Sequence, residues 1–75
     1  MNHLKQVLIE VAEAAPELCW PSDIRLAVPD ASDMAVRDAV RAMRLWTEAD
    51  NPVSRAFAGH ALDTAVRHLR VRVVA

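Results

Sequence analysis

Residues 32–46, SDMAVRDAVRAMRLW, decide how this chain folds. Val36, Ala39, Val40, Met43 and Trp46 recur at i, i+3, i+4, i+7 and i+10, the spacing of one helical face, so the stretch predicts a helix with that face in a core. Ser32 precedes it as the N-cap, because a hydroxyl there accepts one of the backbone N–H groups that the first turn leaves free. Asp33 suits the positive end of the helix dipole. About a quarter-turn from the apolar face lie Arg37, Arg41 and Arg44, three guanidinium groups along one edge.

Upstream, Leu4, Val7, Leu8, Val11, Ala12 and Ala15 form the inner face of a first helix with Gln6, Glu10 and Glu13 opposite. Pro16 ends it, because the residue before a proline is pushed out of the helical region. Ile9 falls on the polar side and reads as a single exposed apolar residue. Leu18, Cys19 and Trp20 form an apolar run too short for a helix and compatible with a short strand. A second, brief helix then starts with Ser22 as its cap, turns Ile24, Ala27 and Val28 inward, and stops at Pro29.

Downstream, Asn51 and Pro52 read as cap and first residue of a fourth helix. Its buried stripe is Ala58, Ala61, Leu62, Ala65, Val66 and Leu69. Gly59 costs about 1 kcal/mol relative to alanine inside a helix, which points to a close neighbour. In the tail, Arg70 to Val74, arginine and valine alternate with the period of a strand. Its candidate partners are the Leu18 to Trp20 run or the same tail of a second copy. The expectation is thus a mainly α fold, one four-helix domain over residues 1–75 with a long C-terminal helix and a short terminal β-strand.

Composition narrows the function classes. A 75-residue chain buries a smaller share of its surface than a large one, so its core must be dense or shared, and a homodimer is expected. Apolar residues make up 53% of the sequence yet never run to the roughly 18 that a membrane span requires, so no membrane segment is expected. Nor is there an apolar run ending in a small-residue cleavage site, which predicts a cytoplasmic protein. The solitary Cys19 suits a reducing compartment and reads as a buried small apolar residue.

The net charge of −1 conceals an asymmetry: residues 1–50 carry five Lys or Arg against nine Asp or Glu, and residues 51–75 four Arg against one Asp. A uniformly basic nucleic-acid binder is excluded, while a local basic stripe is not. Arg outnumbers Lys eight to one, which fits a GC-rich bacterial or phage genome.

From Trp20 to Met43 the residues resemble the winged helix-turn-helix superfamily. Ile24 and Ala27 stand where its second helix packs inward, Val36, Val40 and Met43 where its recognition helix does, and Ser32 where that helix is capped. The turn Val28-Pro29-Asp30-Ala31 is about one residue longer than the usual form and lacks its glycine. An alanine-rich helix follows Trp46 in place of a wing.

The resemblance implies a winged-helix-like tri-helical core and a small DNA-binding regulator of bacterial or phage type that reads DNA with helix 32–46. Arg37, Arg41 and Arg44 would be its contacts and Arg25 a phosphate contact. The arginines have a second reading as solvated ion pairs, because Asp33, Asp38 and Glu48 lie within a turn of them. The alternative function is a protein-binding module, such as a phage-type inhibitor or accessory subunit that docks on a larger bacterial protein complex. The acidic first half favours it.

No catalytic residue, cofactor or metal is expected. His60, Asp63 and Arg67, with Thr64 and His68 beside them, share a face of the fourth helix, but two or three ligands on one helix do not close a metal site. Trp20 and Trp46 sit among apolar neighbours and read as core or dimer anchors, and His3 as a surface residue.

Overall fold

A computed structural model of the protein describes residues 3–70. Four helices run in chain order: α1 (His3–Ala14), α2 (Trp20–Ala27), α3 (Asp33–Glu48) and α4 (Pro52–Arg70), with a 3-10 turn at Glu17–Cys19 between the first two. α3 is central. It packs along α4 as an antiparallel hairpin and receives both α1 and α2.

The expected apolar faces form one core. Leu4, Leu8 and Ala12 of α1, Trp20 and Ile24 of α2, Val36, Ala39 and Met43 of α3, and Leu62, Ala65, Val66 and Leu69 of α4 are all buried in the same cluster. Ala35 and Ala42 join them, so α3 turns a wider face inward than its predicted stripe. Ile9, expected on the polar side, packs partly buried against this cluster, because α1 is embraced by more than one neighbour.

Both predicted caps on the hairpin are made. Ser32 Oγ accepts from the Ala35 N–H at 3.1 Å, and Asn51 Oδ1 accepts from the Ser54 N–H at 2.8 Å.

The stretch after α1 departs from expectation. Leu18, Cys19 and Trp20 do not form a strand: the Cys19 N–H donates to the Pro16 carbonyl at 2.9 Å and the Trp20 N–H to that of Glu17, closing a 3-10 turn. The buried Trp20 ring sets this geometry, and its indole N–H donates to the Ala15 carbonyl at 3.0 Å. Leu18 and Cys19 are left exposed, so Cys19 is not a core residue.

Trp20 therefore opens α2 two residues before the expected cap at Ser22. Pro21 is accommodated in the first turn, where a missing N–H costs nothing. Ile24 is buried as expected, whereas Ala27 is exposed and Val28 half-buried, because the helix ends before its last turn meets the core. No strand occurs among the described residues; of the alternating tail, Arg70 belongs to α4 and residues 71–74 lie outside the described residues. No helix among them is long and apolar enough to cross a membrane.

Gly59 does not owe its place to crowding. A Cβ built there meets Lys5 Nζ at 3.8 Å and Trp46 Cζ3 at 3.9 Å, ordinary van der Waals contact. Gly59→Ala is therefore expected to stabilise the fold by about 1 kcal/mol and to raise Tm by about 4–8 °C. A lowered Tm in a thermal melt would refute this account of the glycine.

Candidate functional site

The four arginines singled out by sequence divide into two pairs. Arg25, at the end of α2, donates to the Ala31 carbonyl at 3.0 Å and to the Asp33 carboxylate, so it braces the α2–α3 turn. Arg44 is held by Glu17 through two bonds, Nε to Oε1 at 3.1 Å and Nη2 to Oε2 at 2.8 Å. The hydrogen bond from Arg44 draws the Glu17 carboxyl below its ordinary range, and Glu17 in turn raises Arg44. Arg37 and Arg41 are exposed one turn apart on α3, and neither makes an ion pair among the described residues.

The ion pairs expected along α3 are not the ones formed. Asp33 reaches back to Arg25, Asp38 Oδ2 lies 3.3 Å from His68 Nδ1 on α4, and Glu48 acts on Arg44 only as a nearby charge. Asp33 and Asp38 thus find partners outside their own helix instead of on its neighbouring turn. Arg37 and Arg41 are left over as a consequence.

A groove of about 1080 Å³ opens between the α2–α3 turn, the first turns of α3 and the last turn of α4. Val28, Pro29, Ala31, Ala35 and Leu69 give it apolar walls; Met34, 72% exposed, and Arg70 also line it. Sequence reasoning passed over this groove because its walls come from three separate elements. Met34 alone was legible, since it falls off the inward face of α3.

The remaining candidates do not converge. Asp63 pairs with Lys5 of α1 at 3.1 Å, His68 lies against Asp38, and His60 is exposed. No three His, Cys, Asp or Glu side chains among the described residues are grouped to hold a metal ion. Trp20 is buried core. Trp46 is half-buried, with the Arg55 guanidinium 4.6 Å above its ring and its indole N–H donating to Glu13 at 3.4 Å.

In comparisons with known proteins, no family model matches the chain, and no curated protein and no solved structure matches it either.

Proposed function

We propose that the chain is a protein-binding module whose docking site is the groove at the α2–α3 turn. Its partner would offer an apolar side chain flanked by carboxylates, as part of a larger bacterial or phage complex in the cytoplasm. The observation that carries this reading is how charge is spent around the groove. Asp33 is paired with Arg25, Asp38 lies at hydrogen-bond distance from His68, and Asp30 has a partner as well, while Arg70, which lines the groove, and Arg37, three residues after Met34, make no ion pair among the described residues. The side chains there that make no ion pair among the described residues are thus cationic, beside apolar walls and an exposed methionine. Methionine and arginine are enriched in protein interfaces, and complementary charge steers encounter.

A photo-crosslinking side chain placed at Met34 is expected to capture one protein in the host cell. The same probe at Thr64, on the outer face of α4, is expected to capture none, and Arg37→Glu to abolish the capture at position 34. Equal labelling from both positions, or crosslinks to nucleic acid, would overturn the proposal.

DNA binding through α3 is the second reading. It is favoured by the order α1, α2, turn, α3 of a winged-helix-like core and by the two unpaired arginines one turn apart. Against it, the Asp33 side chain is 91% exposed at the end of α3 that would enter a major groove, and Arg25 and Arg44 are already bound to carboxylates.

The salt dependence of duplex binding separates the cases. Raising salt from 50 to 200 mM costs roughly 150-fold in affinity for four phosphate contacts and roughly tenfold for two. On the protein-binding reading, fluorescence anisotropy is expected to detect no complex at micromolar protein. A complex that weakens tenfold and is lost on Arg37→Ala with Arg41→Ala would establish the DNA reading instead.

A further inference from the structure

Among the described residues, one flank of the α3–α4 hairpin leaves apolar side chains open to solvent, Phe57 foremost. The Lys5–Asp63 pair ties α1 to the opposite flank, and the contact of Asp38 with His68 marks this one. Stepping along α3 from Asp38 by the helical repeat reaches Arg41, Leu45 and Glu48, and stepping back along α4 from His68 reaches Ala61 and Phe57. Leu45 and Ala61 are half-buried and Phe57 is 65% exposed, so this flank carries an apolar strip near the hairpin's closed end.

Arg41 and Glu48 stand at the two ends of that strip, four residues before and three after Leu45. Both are exposed, and neither makes an ion pair among the described residues. A strip with one charge at each end and apolar groups between them is complementary to itself under a two-fold rotation. An axis near Leu45 sets two α3 helices antiparallel and brings each Arg41 opposite the other copy's Glu48, so every contact is made twice.

We propose that this flank binds a second copy of the same chain, with Leu45, Phe57 and Ala61 at the centre of the contact and two reciprocal Arg41–Glu48 pairs at its edges. The face is small, which places the dimer in the weak class of interfaces and makes its population depend on concentration. It runs from Asp38 and His68, which also line the groove at the α2–α3 turn, toward the closed end of the hairpin.

Equilibrium sedimentation of the full chain over about a hundredfold range of concentration tests the contact. The wild-type chain is expected to self-associate. Arg41→Glu and Glu48→Arg should each weaken association at least about tenfold by setting like charges face to face, and the double variant carrying both substitutions should regain it. Phe57→Asp should remove it, whereas Glu10→Lys, at an exposed position of α1, should leave it unchanged. Circular dichroism verifies that each variant is folded. A chain that stays monomeric throughout, or folded single variants whose combination restores nothing, would overturn the proposal.

Discussion

Trp20→Ala is expected to cost about 3–5 kcal/mol, the range for truncating a buried tryptophan, and so to consume most of the stability of so small a domain. The ring is 3% exposed and belongs to the core cluster that α1, α2, α3 and α4 share. Its indole N–H also satisfies the Ala15 carbonyl at the end of α1, so truncation leaves that acceptor without its partner as well as opening a cavity. The effect should appear in urea denaturation as a lowered midpoint with little change in slope. Its neighbours provide the contrast: Leu18→Ala and Cys19→Ser, at exposed positions of the same turn, are expected to stay within about 0.5 kcal/mol of the parent. A Trp20 variant as stable as those two would mean that this ring does not anchor α2.

Leu62→Ala carries the second large effect, about 2–5 kcal/mol. Leu62 is fully buried on α4 and belongs to the core cluster. It shares that cluster with Ala39, Ala42 and Ala65 and with the larger Leu8, Ile24 and Met43. Phe57→Ala on the same helix removes more atoms from a largely exposed position and is expected to change monomer stability by no more than about 0.5 kcal/mol. A reversed order of these two in a melting experiment would show that the inner face of α4 has been misassigned.

The two substitutions also mark how far the fold was readable in advance. Leu62 was assigned to the core from the period of its helix alone, and the assignment holds because a helix that long repeats its pattern over several turns. Trp20 was placed correctly in the core but on the wrong element. Three apolar residues between prolines carry too little periodicity to distinguish a strand from a tight turn, and the turn is decided by where the indole ring is buried. Cys19 was read as buried from its residue type, and Ala27 as inward-facing from the spacing of a helix too short to fix its face.

The candidate site was less legible. The arginine stripe lies on the exposed face of α3, as its spacing from the apolar residues required. Its partition into held and unpartnered guanidiniums was not foreseeable, because Arg44 is taken by a carboxylate 27 residues away and Asp38 turns to a histidine 30 residues away.

From sequence alone came the four helices, their caps on the hairpin and the inward faces of α1, α3 and α4, because a helical period and a capping hydrogen bond are settled within a few residues of chain. Tertiary structure decided which carboxylate meets which arginine, where the groove opens and which flank of the hairpin leaves apolar side chains open to solvent. Those depend on the approach of residues distant in the chain, and a charge binds the nearest opposite charge in space, whatever its place in the sequence.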